Sequence, residues 1–354
     1  MPGVWLSRGR AAKSAVDFFR CLLLCILAGK FFNQLQVYPL FTISRENRMK
    51  ALNRITDAIG KTPLLKLHSL SDNAQIYAKC EFLNPMSIKD RPILHIINEA
   101  ERKGLLKPGS TIIESTSGNT GMAIAFIAAI RGYRAILVMS EIQSVERRQV
   151  MKAFGAEFVL TPAAEGTSGA VKRMKEIMAE HPEYFYPGQH VNMDNPEAHY
   201  LSTGPEIWED TDGKVDIFVA GLGTGGTVCG TGKFLKEKNP AVQVAAVEPE
   251  EAPYISQGKF QPHRMMGLAP GFVPGTLTRE RIDEYVLVST DDAFAMCRQL
   301  AAREGILVGI TSGAVACALK RLADKAENKG KILVGTMADS GQRYLSVKDL
   351  FPFE

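Results

Sequence analysis

The 354-residue sequence has little of what marks several large protein classes. Cysteine is sparse: Cys21, Cys25, Cys80, Cys229, Cys297 and Cys317 are scattered, and no two stand in CxxC spacing. That excludes a disulfide scaffold and a zinc ribbon, and it fits reduced thiols in a cytoplasmic compartment. Long hydrophobic runs are also missing. The apolar stretch at 21–29, closed by Arg20 and Lys30, falls well short of the ~20 residues that span a bilayer, so no stable membrane span is expected. Gly (31) and Pro (18) occur without period, which excludes collagen and solenoid repeats. Six histidines show no paired ligand spacing, and no metal is expected. Nor is there an excess of one charge: 42 basic groups face 38 acidic ones, and the surplus lies at the amino terminus. Residues 1–48 carry seven basic and two acidic groups, a balance of +5, which leaves 35 against 36, or −1, for the rest. Nucleic acid is therefore not an expected partner.

What is present begins with that amino-terminal extension, 1–48. The 21–29 run has the length of a signal-peptide core, but no small-x-small cleavage site follows it cleanly. A targeting segment, a docking segment and an upstream stretch without function are the three readings; the last is favoured. Met49 stands directly before a segment that already reads as enzyme, so translation starting there is expected.

From Met49 onward short apolar runs alternate with longer patterned ones. Strands are expected at 76–80, 111–114, 135–139, 157–160, 216–220, 242–247 and 331–336. Helices are expected at 92–103, 120–131, 145–154, 167–179, 226–236, 291–304 and 313–326. Strands separated by helices imply an α/β fold of two open, twisted, parallel sheets with helices on both faces. We expect an amino-terminal domain at 49–195 and a carboxy-terminal domain at 196–354, with a cleft between them. Ligands in such folds bind beyond the carboxyl ends of the strands.

Three loops of that kind and one lysine stand out. In Asn84-Pro85-Met86-Ser87-Ile88-Lys89-Asp90-Arg91 the lysine begins a helix, whose dipole disfavours its charged form, and a lysine of lowered pKa can form a Schiff base. Ser115-Thr116-Ser117-Gly118-Asn119-Thr120-Gly121 follows a strand and opens a helix; its hydroxyls, amide and free N–H groups suit a carboxylate or a phenolate oxygen. Gly221-Leu222-Gly223-Thr224-Gly225-Gly226-Thr227 likewise turns its amides toward a phosphate. Gly221, Gly223 and Gly226 also satisfy GxGxxG, with Glu248 ending the next strand, so a nicotinamide-dependent dehydrogenase is a rival. That rival leaves Lys89 and the Ser115 to Gly121 loop without a role. A phosphate cup, an oxygen-binding Asn, a carboxylate site and a reactive lysine together are the parts that hold pyridoxal 5'-phosphate and an amino acid.

These motifs, with Gly60-Lys61-Thr62-Pro63-Leu64, Asn195-Pro196-Glu197, Thr203 to Trp208, Gly271 to Pro274 and Gly309 to Gly313, run in order from about Asn53 to Ser346. In them the sequence resembles the cysteine synthases (O-acetylserine sulfhydrylases) of the tryptophan-synthase-β-like, fold-type-II pyridoxal-phosphate enzymes. The resemblance implies that Lys89 forms the Schiff base and then serves as base and acid. It implies that Asn119 contacts the cofactor's ring oxygen, and that Gly223, Thr224, Gly225, Gly226 and Thr227 cradle its phosphate. Thr116, Ser117, Thr120 and Gln189 match the positions that receive the substrate carboxylate. Thr311 aligns with the residue facing the pyridine nitrogen, with Ser312 as the alternative donor. The implied reaction is β-replacement through an α-aminoacrylate, giving L-cysteine from O-acetyl-L-serine or O-phosphoserine and sulfide. A cystathionine- or lanthionine-type synthase using a thiol amino acid is the runner-up. A homodimer and docking of a serine acetyltransferase are further implications. Three features depart from the family pattern: the segment from Asn84 to Lys89 is one residue short, Thr311 replaces a Ser, and Ser340-Gly341-Gln342-Arg343-Tyr344 is a variant carboxy-terminal motif.

Overall fold

In the computed structural model, whose described residues are 51–142 and 145–352, the alternation of short apolar and longer patterned runs resolves into nine strands in two sheets. The extension 1–48, and the expectations placed on it, lie outside the described residues. The smaller sheet is parallel, in the order β3 (Thr111–Ser115), β4 (Arg134–Ser140), β5 (Glu157–Thr161). The larger runs β1 (Leu64–Leu67), β2 (Gln75–Lys79), β9 (Ile332–Thr336), β6 (Ile217–Gly221), β7 (Gln243–Pro249), β8 (Glu284–Val288). It is parallel except at its edge, where β1 is antiparallel to β2.

Two differences from the expected layout matter. The strand expected at 76–80 does not join the sheet of the strands that follow it, β3 to β5; Ile76 stands opposite Leu333 of β9, and Ile76 and Ala78 bury with the core of the larger sheet. Residues before 195 therefore contribute to both sheets. The edge strand β1 and strand β8 were not expected. β1 has two exposed residues among its four, so no two-sided apolar pattern marks it, and β8 is a five-residue run with only Val286 and Val288 buried.

Helices cover both sheets. α1 (Asp90–Arg102) follows Lys89 directly, and α2 (Asn119–Arg131) is apolar all round because Thr120 to Ala128 are buried. α3 (Val145–Ala153) and α4 (Gly166–Glu180) complete the first series. α5 (Asp194–Leu201) and α6 (Thr203–Asp210) were missed from the sequence, since Asn195-Pro196 and Gly204-Pro205 read as turns although each proline sits in a first turn, where it lacks no needed N–H. α7 (Gly226–Lys238) follows β6, a four-residue α8 (Tyr254–Gln257) follows β7, and α9 (Thr290–Glu304) and α10 (Ile310–Ala323) cover the larger sheet. Among the described residues no helix is long and apolar enough to cross a membrane.

A buried ion cluster ties α1 to α6. Arg91 grips Glu81 through Nε–Oε2 at 2.7 Å and Nη2–Oε1 at 2.8 Å, and Glu206 through two 2.7 Å bonds. Lys79, fully buried, lies 2.9 Å from both Glu206 and Asp210 and donates to the Thr62 carbonyl at 2.6 Å. Burial alone would raise the Glu206 carboxyl, but the Arg91 guanidinium outweighs it and holds the group down at about 2. Buried charges of this kind need every partner, because the desolvation cost of each ion is offset only by its neighbours. Replacing Arg91 with Met takes the guanidinium from buried Glu81, which keeps the neutral donors Thr62 and Asn84, and leaves half-buried Glu206 with Lys79 as its remaining buried cation. We expect a loss of about 3–5 kcal/mol, read as a lowered denaturant midpoint with unchanged slope.

Candidate active site

Lys89 stands at the start of α1, half-buried, on a cavity wall shared with Asn119, Gly223, Thr224, Gly225, Thr227 and Thr311. Its amine is pushed down to about 8 by burial, against the opposing pull of the Asp339 carboxylate. Burial thus lowers the amine further at the helix start, where the dipole already disfavours its charged form. An amine at that value carries a useful fraction of its neutral, nucleophilic form near neutral pH.

The loop between β6 and α7 lines the same cavity as the lysine. Gly223 packs so closely that a β-carbon there would meet the Gly267 carbonyl oxygen at 2.4 Å. The Thr224 hydroxyl accepts from Asn195 Nδ2 at 3.0 Å and from the Gly226 N–H at 3.2 Å. With both acceptor positions filled, its own hydrogen is left to donate. Thr227 Oγ1 lies 3.1 Å from His199 Nε2, and His199 Nδ1 lies 2.9 Å from Thr203 Oγ1. Burial drives that imidazole well below its usual pKa, so it is neutral. Gly226 is the one predicted cup residue off the wall; a β-carbon there would collide with Asn195 Oδ1 at 2.0 Å, and its N–H is already taken by Thr224.

The second loop opens α2. Ser115, Thr116, Ser117, Gly118 and Thr120 line a cleft of about 350 Å³ with Lys89 and Gln189. Thr120 Oγ1 donates to Gln189 Oε1 at 2.6 Å, leaving the Gln189 amino group for a ligand oxygen. Glu114 lies buried beneath and accepts from the N–H groups of Ser115 and Gly188, both at 3.1 Å, tying the loop to the Gln189 segment. Burial raises its carboxyl to about 8. Thr311, not Ser312, borders the cavity; its hydroxyl reaches the Met266 carbonyl at 3.3 Å, whereas Ser312 is fully buried.

Sequence reasoning assigned no site role to several neighbours of the site. Arg147, His190 and Tyr344 line the same cleft as Lys89. His190 packs edge-on against Phe272, and burial pushes its imidazole down to about 4. Asp339 and Arg343 touch Asn119 from the carboxy-terminal turn. The variant motif at 340–344 was the only signal for them, because long-range contacts leave no trace in local spacing.

The dehydrogenase reading fails at its acidic residue, and other reactive side chains are engaged in packing or pairing. Glu248 is fully buried and caps α8, accepting from the N–H groups of Ile255 at 2.7 Å and Ser256 at 3.0 Å, so it cannot serve a ribose as the dehydrogenase reading requires. Cys229 is a packed thiol that accepts from the Thr278 N–H at 3.3 Å, and Arg264 pairs with exposed Asp349 at 3.2 Å. Away from the cleft, His95, Asp194 and Glu197 hold ligand-type atoms within 4.8 Å of one another, a grouping invisible in sequence spacing. Lys103 Nζ stands 3.5 Å from Asp194 and supplies a cation there.

The donor set fits pyridoxal phosphate. The crowded cup and the first-turn N–H groups of α7 suit a phosphate, the lysine an aldehyde, and the hydroxyl and carboxamide a ring nitrogen and oxygen. Comparison with known proteins agrees. The profile of the family described as pyridoxal-phosphate dependent enzyme matches residues 55–336. Cysteine synthase of Staphylococcus aureus is 47% identical over 309 residues, which cover 86% of this chain and 99% of that protein. The solved structure of cysteine synthase from Entamoeba histolytica superposes with a TM-score of 0.84 at 42% identity, covering 87% of this chain and 93% of that one. O-ureido-L-serine synthase superposes at 0.83 with 40% identity, covering 86% and 96%. With sequence, fold and the lysine-facing cup all in accord over this span, the chain belongs to the pyridoxal-phosphate dependent enzymes and, among them, to the cysteine synthase family.

Proposed function

We propose that this protein makes L-cysteine from O-acetyl-L-serine and sulfide by β-replacement: the Cβ–O bond breaks, acetate leaves, and a Cβ–S bond forms. The observation that carries the reading is the single wall on which Lys89, Asn119, Gly223, Thr224, Gly225, Thr227 and Thr311 meet. Bound pyridoxal phosphate supplies an electron-withdrawing ring joined to the substrate nitrogen, which acidifies the substrate α-carbon.

The chain's own residues do the rest. Thr116, Ser117, Thr120 and Gln189 receive the substrate carboxylate at the positive end of α2, which fixes the α-carbon relative to Lys89. Lys89 takes the α-proton and holds it on Nζ, where the neutral amine favoured by burial is the competent form. Thr311, by turning its hydroxyl hydrogen away from the Met266 carbonyl, would offer the ring nitrogen a donor that does not force a proton onto it as a carboxylate would. Neutral His190 flanks the cleft without adding charge to the entering nucleophile's path. A cytoplasmic location belongs to this reading; the buried free thiols of Cys80, Cys229, Cys297 and Cys317 suit a reducing compartment. So does a homodimer, for which the hollow bordered by Ile59, Leu94, Leu201 and Pro205 offers apolar surface, and so does docking of a serine acetyltransferase at the cleft.

Three outcomes check the proposal. The rate at which apoprotein forms a borohydride-trappable link to pyridoxal phosphate should rise with pH through about 8, because Lys89 loses its proton there, and Lys89→Ala should abolish the link. A midpoint near the ordinary lysine value would contradict the assignment. Gln189→Leu should raise KM for O-acetylserine by about tenfold or more while leaving the bound cofactor's absorbance unchanged, since one hydrogen bond to an anion is lost. When sulfide, cysteine and homocysteine compete for O-acetylserine, cysteine should be the main product; a dominant thioether would select the cystathionine or lanthionine alternative.

A further inference from the structure

Asn119 sits at the junction of the two walls of the site, and its carboxamide is held from both ends. Nδ2 donates to Asp339 Oδ2 at 2.7 Å, and Oδ1 accepts from Arg343 Nη1 at 2.9 Å. Asp339 is itself buried, at 1% exposure, and is steadied by the Tyr344 hydroxyl at 2.5 Å and by its own carbonyl, which accepts from the Gly309 N–H at 3.0 Å. The other arm of Arg343 donates to the Met86 carbonyl. Two of the departures from the family pattern, the shortened 84–89 segment and the 340–344 motif, therefore meet at one guanidinium.

A carboxamide has a donor end and an acceptor end of nearly equal size, so sterics alone do not choose between its two orientations. Here charge chooses. Turning the amide over would set its N–H groups against the guanidinium and its oxygen against the carboxylate, both in a site sheltered from water. The observed orientation uses one of the two Nδ2 hydrogens on Asp339 and leaves the second for the cavity that Lys89 shares.

We propose that Asp339 and Arg343 are positioning residues that fix which way round the Asn119 carboxamide sits, so that its free N–H is presented to the ring oxygen of bound pyridoxal phosphate. The inference rests on the cofactor placement given under Proposed function and adds two residues that do not themselves touch the reacting atoms.

The test uses the cofactor-loaded protein and reads the absorption band and affinity of bound pyridoxal phosphate, not turnover. Arg343→Met should move the visible band to shorter wavelength, as the ring oxygen loses its donor, and weaken cofactor affinity by about tenfold. Arg343→Lys should fall between Arg343→Met and the parent. Asn119→Ala should shift the band in the same direction, and the double variant N119A/R343M should be no worse than N119A, because Arg343 acts through that amide. If Arg343→Met fails to fold, Arg343→Lys and Asp339→Asn carry the test with the same expected shift. Band and affinity unchanged in the Arg343 and Asp339 variants, or losses that multiply in the double variant, overturn the proposal. A parent protein that binds no pyridoxal phosphate would instead overturn the functional reading beneath it.

Discussion

The site depends on one buried guanidinium. Arg91 lies two residues beyond Lys89, in the first turn of α1, and is clamped between Glu81 on the strand side and Glu206 on α6. Loops alone would leave the lysine free to swing; this clamp fixes the first turn of its helix in a place where charge cannot relax into water. Lys79 extends the grip to Asp210, so strand β2, the turn at Glu81–Leu83, α1 and α6 are linked by one ionic cluster. The reactive amine stands two residues before that cluster.

Around the lysine the protein offers positive potential mostly without full charges. The amino termini of α2 and α7 both face ligand space, one through the Thr116 loop and the other through the Gly223 cup. His190 and His199 are neutral, and Lys89 is only weakly held in its charged form. Two helix ends suit two anionic groups, a phosphate and a substrate carboxylate, and a lysine between them can change protonation state without breaking an ion pair.

Much of this was legible because it is local. A strand followed by glycines and a helix leaves a pattern within a dozen residues, so the Gly221 to Thr227 cup, the Ser115 to Gly121 loop and most strands and helices fell within a few residues of their places. What was missed is long-range or masked. Membership of β2 in the larger sheet is decided by a partner more than 250 residues away, and Asp339 and Arg343 reach Asn119 across more than 200. α5 and α6 were hidden because Asn-Pro and Gly-Pro carry turn signals even when they open a helix. The choice between Thr311 and Ser312 turned on which face of α10 meets the cavity, a matter of rotation that adjacent hydroxyls cannot reveal from sequence.

The neutral His199 between two threonines carries a consequence for direction. A neutral imidazole has one donating and one accepting nitrogen, so the contacts with Thr203 and Thr227 cannot both run the same way with respect to the ring. For Thr227 to give its hydrogen to a phosphate, its oxygen must accept from Nε2–H, and Nδ1 must then accept from the Thr203 hydroxyl. An anion in the cup would thereby select the tautomer of a histidine it never touches and polarise a hydrogen-bond chain reaching to the first residue of α6.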